Sequence, residues 1–164
     1  MNCGVGFGVF SNNLGFRHSY RLPDEASVFQ AEILAVREVC KLIRDRNIQG
    51  NIGLFVDSQT AILSLKSPKT TSILVRQCKE ELLGLSRLYD ITIVWVPAHR
   101  DYYGNEQADE LARAGSALNA SLSVSVAIAL VSVKSRIQKH YLEKAKNRWR
   151  NLDKCRVAKE SWPT

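Results

Sequence analysis

The chain has 164 residues, 45% of them hydrophobic and 24% charged, a globular composition with enough chain to bury a core. No apolar run reaches the roughly 20 residues of a membrane helix, and Met1-Asn2-Cys3-Gly4 has neither the basic flank nor the apolar core of a signal peptide. An intracellular protein is expected, nucleus or cytoplasm unresolved. The net charge of +7 is uneven: residues 1–117 hold 13 Lys/Arg and 13 Asp/Glu, whereas residues 118–164 hold 10 and 3, so the excess sits in a tail suited to a polyanion or an acidic partner.

Residues 3–10 alternate small and apolar side chains, a strand period, with glycines that allow close backbone approach on one face. Residues 11–15 form a turn, and Phe16–Leu22 reads as an antiparallel return strand. Ser27 with Gln30 three residues on makes a capping box. The helix it opens runs to about Arg44, with Phe29, Ile33, Val36, Cys40 and Ile43 as its buried stripe. Turn formers at 47–51 precede a short strand, Ile52–Val56. Helices are expected over 58–66 and 70–89, the second burying Ile73, Leu74, Cys78, Leu82, Leu85 and Leu88. Ile91–Val96 is rich in β-branched residues and reads as a strand. A loop over 97–104 leads to a helix over 105–114, stopped by Gly115.

This order, with helices between the later strands, predicts an α/β fold with a mixed sheet flanked by helices. A domain over 1–117 and a basic helical tail over 118–164 are expected. In the tail, Val133, Ile137, Tyr141, Ala145 and Trp149 recur every four residues among lysines and arginines, an amphipathic helix capped by Ser132. Its stripe suits docking on protein, and its charge suits phosphates. The four cysteines lie far apart with no C-x-x-C pair, which argues against structural zinc. Cys40 and Cys78 fall in apolar helical patterns and read as small buried hydrophobes.

Three carboxylates stand out. Glu32 shares the buried stripe of its helix, where an ionised group is costly unless paired or metal-bound; a blander place for it is the stripe's edge, with its head in water. Asp57 ends an apolar strand, the place where open α/β sheets bind ligands, or else caps the next helix. Asp109 lies on the helix after the last strand, near a helix start that favours acids in general. Together, clustered carboxylates of this kind suit hard divalent cations and phosphodiester chemistry.

Ser27-Val28-Phe29-Gln30-Ala31-Glu32, Val56-Asp57-Ser58-Gln59, and Trp95-Val96-Pro97-Ala98-His99 followed by Gly104-Asn105-Glu106-Gln107-Ala108-Asp109 resemble ribonuclease H type 1 over residues 3–116. Within it they look most like the RNase H domains of non-LTR retrotransposon polyproteins, and Trp149 to Pro163 resembles the segment that follows RNase H there. The resemblance implies an endonuclease that hydrolyses the RNA strand of RNA–DNA hybrids with two Mg²⁺ ions, Mn²⁺ being an alternative. It implies metal-binding and catalytic roles for Glu32, Asp57 and Asp109, and a proton-transfer and product-release role for His99. Partners implied are an RNA–DNA hybrid or another nucleic acid and the rest of a reverse transcriptase polyprotein, with no membrane.

The chain also departs from the pattern. The family's first strand carries a further aspartate before the segment matching Cys3-Gly4-Val5-Gly6, and neither Asp24 nor Asp45 falls at its place. An N-terminally truncated chain with an impaired site is therefore expected, with two unpaired strand edges and an apolar gap. Ala98 and Asp101 replace the glycines of the usual Pro-Gly-His-x-Gly loop around His99, which restricts it. The alternatives are a non-catalytic nucleic-acid-binding remnant of a retroelement, and an interaction module built on the basic helix.

Overall fold

The computed structural model describes residues 4–48, 50–98, 102–127 and 130–151. Met1–Ala127 form one compact unit and Ile128–Thr164 a second. In the first, β1 (Val5–Ser11) and β2 (Phe16–Leu22) make an antiparallel hairpin paired from Val5 with Leu22 to Ser11 with Phe16. Gly15 closes its turn at φ 66°, a left-handed conformation that glycine adopts without strain.

Helix α1 (Val28–Asp45) begins at the expected capping box. The Gln30 amide donates to Ser27 Oγ at 3.2 Å, and the Ser27 amide donates to Gln30 Oε1 at 3.1 Å. Ile33, Val36, Cys40 and Ile43 are buried as the stripe requires, and Phe29 packs against them half-buried. Next come β3 (Ile52–Val56), α2 (Gln59–Lys66), α3 (Ile73–Ser86), β4 (Ile91–Trp95) and α4 (Tyr103–Ala117). β3 and β4 pair in parallel, from Ile52 with Ile91 to Val56 with Trp95. The α/β class with both antiparallel and parallel pairs is the one the sequence implies. Among the described residues the pairs stay separate, as two sheets of two strands.

Local details differ from the sequence pattern for physical reasons. Helix α3 starts at Ile73, three residues later than the apolar spacing suggests, because Ser72 caps it and its hydroxyl accepts from the Val75 amide. Its ends are solvated: Ile73 and Leu88 are exposed, and Val75 is buried in their stead. Helix α4 runs past Gly115, which does not stop it. Gly115 is buried against β2, where a Cβ would overlap the Tyr20 carbonyl oxygen, so its role is close packing.

The segment after α4 also packs within the first unit. The Val124 amide donates to the Arg21 carbonyl at 2.8 Å, and Gln30 Nε2 donates to the Ala127 carbonyl at 2.8 Å. The second unit, taken by itself, contains α5 (Leu130–Arg150), which starts before the expected Ser132 cap. No helix among the described residues is long and apolar enough to cross a membrane.

Candidate active site

The placement of α4 starts from the glycines of β1. A Cβ on Gly8 would overlap the Ala108 carbonyl oxygen, and one on Gly6 would overlap the Ala112 carbonyl oxygen and the Ser116 amide. The strand therefore lets the helix backbone lie directly on it, and Asp109 is carried in beside Ala108. On the other face, Phe7 and Val9 of β1 are buried in the core that α1 shares. The glycine alternation thus fixes how near Asp109 comes to the α1 side of the sheet.

Glu32 is half-buried, between the buried Ala31 and Ile33. Its carboxyl is pushed up to about 7, first by burial, then by the charges of Asp57 and Asp109. The three carboxylates picked from the sequence therefore border one cleft, with Asp57 and Asp109 near enough to act on Glu32. Glu32 is only partly withdrawn from water.

Asp57 follows β3 directly, and it is not the cap of the next helix. Ser58 has that role, accepting from the Ala61 amide at 3.2 Å. The Asp57 carboxylate is left for the site, where Oδ2 accepts from Asn105 Nδ2 at 3.3 Å. Its backbone carbonyl accepts from Trp95 Nε1 at 3.0 Å, tying the end of β3 to the end of β4. Asn105 and Asp109 lie four apart on one face of α4, so one helix supplies an orienting amide and a carboxylate.

The contacts of Asn105 and Trp95 had no separate signal in the sequence. Only the four-residue spacing from Asn105 to Asp109 pointed at the first. His99 and Asp101 lie outside the described residues, as do Cys3 and Cys155. Asp24 is no substitute for a fourth carboxylate, because it pairs with the buried Arg21. Asp57 and Asp109 are the carboxylates that raise Glu32.

All three acids and Asn105 border one cleft of about 1140 Å³. The donor set is all oxygen, as Mg²⁺ or Mn²⁺ prefers, and mutually repelling carboxylates gain from a shared cation. Among the described residues, however, no three acidic, imidazole or thiol side chains converge on one point as a finished metal cage. The chemistry of the donors fits a hard divalent ion; the side chains would have to close around it.

The scaffold is of the α/β class, and three carboxylates border its cleft. The RNase H family matches residues 2–117, most of the chain, and the protein belongs to that family. The family acts on RNA–DNA hybrids and generally uses divalent metals such as Mg²⁺.

Proposed function

We propose that this chain is an RNase H-type endonuclease domain that hydrolyses the RNA strand of RNA–DNA hybrids. Glu32, Asp57 and Asp109 would hold Mg²⁺, or Mn²⁺, in the two-ion manner of the family. His99 would assist proton transfer and product release. The observation that carries the reading is that Glu32, Asp57 and Asp109 border one cleft, where burial and the two neighbouring charges push the Glu32 carboxyl up to about 7. A carboxylate perturbed by burial and like charges in a cleft is a functional-site candidate.

When bound, the metal would activate water and stabilise the leaving oxygen. The chain's own residues do the rest. Asn105 orients Asp57, the Trp95 indole fixes the strand end that carries it, and the glycines of β1 set the depth of Asp109. Among the described residues three carboxylates border the cleft, and turnover by these 164 residues alone is expected to be slow. The origin we propose is a non-LTR retrotransposon reverse transcriptase polyprotein, supported by the motif spacing and by the tail from Trp149 to Pro163.

The test is an RNA–DNA hybrid with each strand labelled in turn, incubated with the 164-residue chain and Mg²⁺. Slow cleavage confined to the RNA strand is expected, and Asp57→Asn or Asp109→Asn should abolish it. Cleavage that survives both substitutions would reject the site. A second reading, a nucleic-acid-binding remnant without catalysis, would keep the same scaffold and the basic helix α5. Tight hybrid binding with no metal-dependent cleavage would select it.

A further inference from the structure

Helix α2 passes to α3 through Lys66-Ser67-Pro68-Lys69-Thr70-Thr71-Ser72. Ser67 is the C-cap of α2, with its backbone extended at φ −60° and ψ 131°. The proline that follows favours that geometry and ends the helix there. Pro68, Lys69, Thr70 and Thr71 are exposed. Beside them lies a hollow of about 380 Å³ lined by Ser64, Ser67, Lys69, Thr70 and Thr71, and no acid lines it among the described residues. Lys79 reaches across from α3 and donates to the Ser67 carbonyl. Lys66, Lys69 and Lys79 enter no ion pair among the described residues. Hydroxyls and uncompensated cations thus meet in one exposed loop.

The hydroxyls are not equivalent. Ser72 caps α3, Thr70 accepts from the Ser72 amide at 3.2 Å, and Ser64 donates to the Ala61 carbonyl at 2.7 Å inside α2. Ser67 Oγ donates to the Lys69 carbonyl at 2.8 Å on the surface, a bond that one rotamer change gives up to water.

We propose that Ser67 is a phosphorylation site for a proline-directed protein kinase, and that Lys69 and Lys79 hold the phosphate in the hollow.

The backbone selects that class of enzyme. A kinase groove with no acceptor for the amide after the target residue penalises every residue except proline, which has no amide hydrogen. The Ser67 amide already donates to the Leu63 carbonyl at 2.9 Å, so the Ser67-Pro68 pair presents no free donor. Lysines just before and two after the serine suit an acidic groove. In the transfer, Ser67 Oγ attacks the γ-phosphorus of a nucleoside triphosphate. The bond from that phosphorus to the leaving nucleoside diphosphate breaks, and the hydroxyl proton passes to the kinase's base. The product carries about −1.5 to −2 of charge at neutral pH. The dipole of α2 opposes a negative charge at this end of the helix; Lys69 and Lys79 offset it, and Lys79 would tie the modified end of α2 to α3.

The full chain is incubated with ATP and a purified kinase that requires proline after its target, beside the free peptide 62–72 as reference substrate. Mass spectrometric mapping should find phosphate on Ser67 of the folded chain. Ser67→Ala should remove it and Thr71→Ala should keep it. Pro68→Ala should slow incorporation by at least about tenfold, the effect of one unpaired amide. Phosphorus NMR of the modified chain should place the second ionisation below its usual pH of about 6. Lys79→Gln should bring that midpoint back up by about 0.5, as loss of one part-exposed ion pair implies.

Phosphate on Thr70 or Thr71 instead of Ser67 would overturn the proposal. So would modification of the peptide but not of the folded chain, modification of neither, or a midpoint that Lys79→Gln leaves in place. The hollow shares no residue with the acidic cleft, so none of these outcomes bears on the nuclease proposal.

Discussion

At the scale of single residues, the proton on Glu32 has consequences for stability. Its carboxyl is pushed from 4.5 to about 7 in the folded chain, so the folded state binds this proton more tightly than the unfolded state. Below pH 4.5 both states hold it and the contribution is complete. Between 4.5 and about 7 the unfolded chain releases the proton while the folded chain keeps it, and stability falls; above 7 the loss is complete. Glu32→Gln removes that loss. With allowance for partial solvent screening, the variant should be more stable than the parent by about 1–3 kcal/mol at pH 8 and no different at pH 4. Urea unfolding at the two pH values measures it, and an equal gain at both would refute the role of the charge. Mg²⁺ favours the ionised form, so its affinity should weaken as pH falls below about 7 and its binding should release protons, which calorimetry in two buffers of different ionisation enthalpy would detect. The buried thiols of Cys40 and Cys78, both pushed up to about 12 chiefly by burial, should resist alkylation until the chain unfolds, as peptide mapping would show. Each of the three acids alone had an ordinary role in the sequence, at a stripe edge, a helix cap or a helix start, and only their combination and motif spacing singled them out. The contacts of Asn105 and Trp95 were not legible there, because they join residues 48 and 38 positions apart, and no local pattern encodes such a distance.

At the scale of elements, the sequence pattern located β1 to β4 and α1 to α5 but not the short 3₁₀ turn Ala120–Leu122. Their ends were less legible, since an end is set by caps and by neighbours. Gly115 is the clearest case. As a glycine following an apolar helical pattern it resembles a stop, yet it lies inside α4 and is buried against the Tyr20 backbone. Only the packing of two distant elements distinguishes those roles. The two opposing effects can be separated by Gly115→Ala. Helix propensity alone favours alanine by about 1 kcal/mol. Overlap of the new methyl with the Tyr20 carbonyl oxygen opposes it, and overpacking of this kind costs about 1–3 kcal/mol. Net destabilisation is expected, together with displacement of α4 from β2. Gly84→Ala is the control: it lies within α3, and a Cβ there meets nothing within 4 Å, so it should stabilise. A stabilising Gly115→Ala would show that α4 stands further from the hairpin.

At the scale of the whole molecule, charge is segregated. The matched domain over 2–117 is close to neutral, while α5 and the residues after it carry the excess. This suggests a division of labour in which the acidic cleft needs a cation and the basic helix supplies long-range attraction for a phosphate backbone. Such attraction depends on released counterions, so it has a signature that chemistry at the cleft lacks. Replacing Lys134, Lys139, Lys144 and Lys146 with glutamine removes four charges from α5 without introducing a helix breaker. If these lysines neutralise phosphates, hybrid affinity should fall most at low salt, and the slope of log affinity against log salt should shrink by up to about one for each lysine replaced. Cleavage at saturating hybrid should hold, because none of the four lies among Glu32, Asp57 and Asp109. Fluorescence anisotropy at several salt concentrations reads the slope directly. An unchanged slope would remove α5 from nucleic-acid binding and favour the reading in which its apolar stripe, Val133, Ile137 and Tyr141, meets protein.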